Sequence, residues 1–102
     1  MTRGDIFRVR LAKGHDQRGP RYAVIVQADE LLGLSTAIVA PTSRSAAPAT
    51  FRPEIEVAGV ATRVLVEQLR AVDLDRLVEH AGRLTAEEQR GVDAALELIL
   101  AL

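Results

Sequence analysis

The sequence predicts a mainly β protein: a small antiparallel barrel closed by one C-terminal helix. Three observations carry that expectation. Short apolar or alternating runs rich in Val and Ile recur between residues 5 and 84, at the spacing of consecutive strands. A helical repeat follows only at the end, after Thr85. The chain has 102 residues, 48% of them hydrophobic and 26% charged, which suits one modest core and a single domain over 1–102.

The elements are justified in order. Asp5–Leu11 opens after Gly4 and places Ile6, Val9 and Leu11 among polar residues, as a strand does. Tyr22–Gln27 is apolar and β-branched throughout, so both of its faces are expected to be buried. Thr36–Pro41 is a third strand, and Ser43–Thr50, rich in Ser, Ala and Pro, is a mobile loop. Arg52–Val57 alternates as an edge strand. Arg63–Val72 reads as one longer strand with room for a bulge, Leu74–Leu77 as a short helical turn, and Glu79–Leu84 as the last strand. Thr85 and Glu88 then have the spacing of a capping box. Val92, Ala95, Leu96 and Ile99 follow a helical period, while Leu98, Leu100 and Leu102 add apolar surface beyond one stripe. That excess predicts a second apolar contact, most simply a homodimer.

Composition narrows the function. The absence of cysteine excludes disulfides and thiolate metal sites, and suits a cytoplasmic protein. No apolar run approaches the roughly 18 residues of a membrane span, and no secretory h-region is evident, so no membrane role is expected. The two histidines are far apart, and no HExxH occurs, so no metal is expected. No GxGxxG, GxxxxGK[ST] or GxSxG is present, so neither a nucleotide cofactor nor a serine nucleophile has a signature. Net charge is −1, yet residues 1–52 hold eight Lys/Arg against four Asp/Glu, and residues 53–102 hold five against ten. A basic N-terminal half favours a polyanionic partner.

The stretch GHDQRGPRYAVIV, residues 14–26, crowds His15, Asp16, Gln17, Arg18 and Arg21 onto a bend that enters the second strand. A solvated turn needs fewer such groups. The third strand ends in Pro41-Thr42-Ser43-Arg44. Cleaving a phosphodiester without a metal requires a cation for the phosphate and donors for its oxygens. In RNA the 2′-OH is a built-in nucleophile, so the protein supplies positioning, proton transfer and electrostatics. Arginine fits the phosphate because its charged fork is planar and permanent.

These pieces resemble the MazF/PemK family of toxins. Arg3-Gly4-Asp5-Ile6-Phe7 resembles the family's opening strand, Gly14–Val26 its G-[SH]-E-Q-x-G-x-R-P stretch, and Thr36–Ser43 its third strand. Glu67-Gln68-Leu69-Arg70-Ala71-Val72-Asp73 resembles its E-Q strand, and Arg76-Leu77, Gly82-Arg83-Leu84 and the capped helix complete the order. The resemblance implies an SH3-like antiparallel barrel of the PemK/CcdB type with a terminal helix, acting as a homodimer. It implies metal-independent, sequence-specific cleavage of single-stranded RNA, leaving a 2′,3′-cyclic phosphate and a 5′-OH. Arg21 and Thr42 then stand at the family's catalytic pair. His15, Asp16, Gln17, Arg18, Ser43 and Gln68 become RNA-binding candidates. A cognate MazE-like antitoxin is the implied partner, with an acidic segment for the basic groove. Asp16 stands where the family usually has Glu, and Tyr22 where it has Pro; Tyr22 brings a ring suited to base stacking. Two other readings use the same barrel: a CcdB-like gyrase-poisoning toxin, which needs no Arg21–Thr42 pair, and an RNA-binding barrel that does not cleave.

Overall fold

A computed structural model gives the fold of residues 1–10 and 21–102; residues 11–20 lie outside the described residues. The elements are β1 (Asp5–Val9), β2 (Arg21–Ile25), β3 (Thr36–Ser43), β4 (Glu54–Val57), β5 (Val60–Val64), β6 (Arg70–Asp73), β7 (Leu77–Arg83) and α1 (Ala86–Leu100). All pairings are antiparallel, in the order β4-β5-β3-β2-β1-β7, with β6 also on β3. The sheet curls into a half-barrel with β4 and β7 at the ends of its pairing order, and α1 packs on it through Val92, Ala95 and Leu96.

Alternation along β2 explains the two-sided core. Val24 faces a cluster with Ile6, Ile55, Val64 and Val66, into which α1 sends Val92, Ala95 and Leu96. Ala23 and Ile25 face the opposite way, toward Val9, Ala37, Val39 and Val72. The apolar run Tyr22–Gln27 is thus buried on both sides, as expected.

Arg63–Val72 is not one strand. Val64 pairs with Thr42 and Arg70 with Val39, so β5 and β6 lie on the same edge of β3. Between those pairs β3 has two residues, Ala40 and Pro41, whereas the other side has five, Leu65–Leu69. The three extra residues form one 3-10 turn, Val66–Gln68. Pro41 supplies the reason. Leu65 N–H donates to its carbonyl at 2.8 Å, so Pro41 faces this edge, and its nitrogen has no hydrogen to return. β5 also begins earlier than expected, at Val60. It is joined to β4 through Ala58-Gly59, both at positive φ (52° and 79°), as a two-residue hairpin turn of the primed type requires. Alanine is a poor occupant of that conformation. Ala58→Asn, which tolerates it better, is expected to raise stability by about 0.5–1 kcal/mol, read as a higher urea midpoint with an unchanged slope.

The capping box forms: Glu88 N–H donates to Thr85 Oγ1 at 3.1 Å, and Thr85 N–H to Glu88 Oε1 at 2.9 Å. Glu88 Oε2 also accepts the N–H of Glu56 at 2.9 Å, so the same carboxylate satisfies the free edge of β4. Beyond the buried stripe of α1, Leu98, Leu100 and Leu102 are exposed. The Ser43–Thr50 loop is fastened, because Arg52 Nη1 donates to the Ala47 carbonyl at 3.3 Å.

Asp5 anchors the start of the sheet. It accepts the Thr2 N–H at 2.8 Å, with His80 Nε2 at 3.3 Å and Arg83 Nη1 at 3.2 Å. Burial disfavours its charged form, but the Thr2 bond, His80 and Arg83 together outweigh burial and hold its carboxyl below the usual range. A depressed folded-state pKa adds stability that is complete above the unfolded value and is lost as pH falls through the folded one. The gap in urea midpoint between wild type and Asp5→Asn is therefore expected to narrow as pH drops below about 4. A gap that stays constant into acid contradicts this role.

Candidate functional site

Where β2 begins and β3 ends, the register sets functional side chains side by side. The pairs Ile25↔Val39, Val24↔Ala40 and Ala23↔Pro41 run toward Tyr22 and Thr42, and Thr42 Oγ1 donates to the Tyr22 carbonyl at 2.9 Å. Arg21, Tyr22, Thr42, Ser43, Arg44 and Ser45 line one wall of an open groove of about 520 Å³. Val57, Ala58, Val60 and Thr62 of the β4–β5 hairpin line the other. Two guanidinium groups and several hydroxyls face this space, and no carboxylate does so among the described residues. Such a lining attracts a phosphate and repels nothing in it.

Each group is held by its own neighbours. Arg21 is exposed at the first position of β2, so its side chain is free to meet a ligand while its backbone is fixed by the pairing with Val9. Thr42 has its proton on the Tyr22 carbonyl and presents oxygen lone pairs to the groove. Ser43 Oγ lies 3.4 Å from Ser45 Oγ and accepts the Ser45 N–H at 3.3 Å, shaping the strand exit. Behind this wall Arg52 grips Glu67: Nε and Nη2 both donate to Oε2, at 3.0 and 2.7 Å. The Arg52 bonds, against an opposing cost of burial, keep the Glu67 carboxyl below its ordinary range. Glu67 Oε1 is buried with no partner. The Arg52 carbonyl accepts Arg63 Nη1 at 2.9 Å, which ties the loop to β5.

The groove therefore unites Arg21, Thr42 and Ser43 among the residues singled out from sequence. Gln68 is exposed on the 3-10 turn, with its amide 3.4 Å from Glu67 Oε2, and is not part of the groove lining. His15, Asp16, Gln17 and Arg18 lie outside the described residues. The sequence singles out Pro41-Thr42-Ser43-Arg44 but assigns no role to Arg44, and it does not place Ser45 or the hairpin wall at the site. Arg44 had a signal, since it directly follows Thr42-Ser43; the hairpin wall had none, because Ala58 does not read as a turn residue. Among the described residues no three His, Cys, Asp or Glu side chains gather as metal ligands would, and no helix is long and apolar enough to cross a membrane.

A family model described as PemK-like, MazF-like toxin of type II toxin–antitoxin systems matches residues 2–100. The chain belongs to this family. A Mycobacterium tuberculosis (strain ATCC 25618 / H37Rv) protein named as a toxin is 47% identical over 77 residues, covering 72% of this chain and 72% of the relative. Among solved structures, the chain is similar to an endoribonuclease in complex with its cognate antitoxin from a mycobacterial species. That likeness has a TM-score of 0.85 at 15% identity, over 100% of this chain and 96% of the other. It is also similar to MazF from Deinococcus radiodurans, with a TM-score of 0.80 at 20% identity, over 100% and 97% of the two chains. At these identities the structural likeness is one of fold.

In this MazF/PemK-family chain the opening Arg3-Gly4-Asp5 is structural. Arg3 Nη2 meets Asp93 of α1 at 2.7 Å and Arg3 Nε donates to the Val26 carbonyl at 3.1 Å. Gly4 sits at φ 94°, a backbone conformation that strains any residue with a Cβ, and a Cβ there would also displace the Gln89 side chain. The motif locks β1 to the helix, away from the groove.

Proposed function

We propose that this toxin-family chain is a sequence-specific endoribonuclease that cleaves single-stranded RNA without a metal ion. One observation carries the reading: Arg21 and Thr42, from adjacent strands, line the same open groove that holds two guanidinium groups and no carboxylate among its described residues. The ribose 2′-OH gives its proton to water as its oxygen attacks the adjacent phosphorus, the bond to the 5′-oxygen breaks and that oxygen takes up a proton, and the products are a 2′,3′-cyclic phosphate and a 5′-OH. Arg21 offsets the charge that develops on the phosphoryl oxygens and is placed to protonate or steady the leaving oxygen. The Thr42 hydroxyl leaves the Tyr22 carbonyl for a phosphoryl oxygen as that oxygen becomes the stronger acceptor. Ser43 contributes a second hydroxyl at the strand exit. His15, Asp16, Gln17 and Arg18 are assigned to contacts along the RNA, and Gln68 to its periphery.

The partners follow from the same surface. A cognate MazE-like antitoxin with an extended acidic segment suits a groove with two arginines, and a structural neighbour is itself an endoribonuclease bound to its antitoxin. The exposed Leu98, Leu100 and Leu102 suit a homodimer, working in the cytoplasm. The test is incubation with a long defined RNA and with matching single-stranded DNA, both in excess EDTA, followed by mapping of new ends. Discrete RNA cuts with 5′-OH termini, and intact DNA, are expected. Intact RNA with a folded protein overturns the reading and turns attention to gyrase inhibition.

A further inference from the structure

We propose that Tyr22 is a stacking platform for a nucleobase beside the cleaved phosphate, and thereby a binding residue of the groove. The proposal rests on the groove being an RNA site. Among the described residues Tyr22 is the one aromatic in the groove lining, in a chain with a single Tyr, two Phe and no Trp. It follows Arg21 directly and its carbonyl receives the Thr42 hydroxyl. All three line the same groove, so a phosphate held by Arg21 and Thr42 leaves a neighbouring base within reach of the Tyr22 ring.

The ring is also prepared for the task. It is half-buried, packed against the core cluster that includes Val57 and Val64, while its remaining surface lines the groove. A ring braced from behind loses little freedom when a base stacks on it. Chemistry elsewhere in the groove points the same way. Phosphate contacts fix register but carry no sequence information. Asn, Gln, Asp and Glu, which read base edges with paired hydrogen bonds, are absent from the lining among the described residues. A base beside this wall therefore meets the Tyr22 ring as its one stacking surface among the described residues, with Arg44 and the Ser43 and Thr62 hydroxyls around it.

The experiment measures binding, so it does not depend on cleavage. Two fluorescent probes of about ten nucleotides are compared by anisotropy: a 2′-fluoro oligoribonucleotide carrying its bases, and an abasic oligomer of the same backbone length. Wild type is expected to prefer the base-bearing probe. Tyr22→Leu is expected to bind that probe about tenfold more weakly and the abasic probe as well as wild type does. Tyr22→Phe is expected to behave as wild type. Unchanged binding of the abasic probe also certifies that the Leu variant is folded. Equal weakening on both probes, or on neither, overturns the platform while leaving the ribonuclease reading standing. Failure of wild type to bind either probe overturns both.

Discussion

Arg21→Ala is expected to lower the rate of RNA cleavage by about 10²–10³ while leaving the thermal midpoint within a degree or two. The expected loss follows from the groove. Arg21 lines the same groove as Thr42, and a preorganised charge removed from a developing oxyanion costs that order in rate. The fold is spared because the side chain is exposed and carries no load in either core cluster. Arg21→Lys keeps the charge and loses the planar fork, so it is expected to recover only part of the rate. Thr42→Ala is expected to cost less, because a neutral donor is weaker than a charged one. Single-turnover kinetics on a short RNA spanning a mapped cut read all three. Full activity in Arg21→Ala removes this residue from the chemistry.

Arg52→Ala is expected to destabilise the protein by about 2 kcal/mol, more than most single changes at half-exposed positions. Its two bonds to Glu67 Oε2 would vanish, and the other carboxylate oxygen is already buried without a partner. An anion would then sit half-buried with only the neutral Gln68 amide, at 3.4 Å, beside it. The same substitution releases the loop at Ala47, next to Ser45 and Arg44 on the groove wall. Glu67→Gln is expected to cost less, since an amide oxygen still accepts from Arg52 and no unpaired charge remains. The measurement is chemical denaturation of both variants at neutral pH. Equal losses in the two would show that the charge is not what matters.

How much of this was visible in the sequence can be argued residue by residue. Local pattern sufficed where local physics decides. The run through Val24 and Ile25 is buried on both faces, the Thr85–Glu88 spacing makes the cap, and the alternation at Glu54–Val57 marks an edge strand. It failed where a distant partner decides. The break between β5 and β6 is dictated by Pro41, some 25 residues earlier, which cannot donate to that edge. The start of β5 was hidden by Ala58, whose positive φ no propensity suggests. The site followed the same rule. Arg21 and Thr42 stood out by chemistry, and the sheet register brings them together. Arg44 and the hairpin wall belong to the groove only through tertiary placement, and Gln68 sits off the lining because the 3-10 turn lifts it out of the strand.

The sheet order has a consequence for timing. β1 is held on one side by β2 and on the other by β7, whose pairs run from Val9↔Leu77 to Asp5↔Arg83. In a chain emerging from the ribosome, every described groove residue has been made by Thr62, yet the second neighbour of β1 and the helix that covers its core have not. Pairings this distant in sequence fold slowly and late. The strand pairs that align the groove are thus all made by Val64, while β7, which braces β1, and the helix over the core arrive last, so the groove is synthesised before its support.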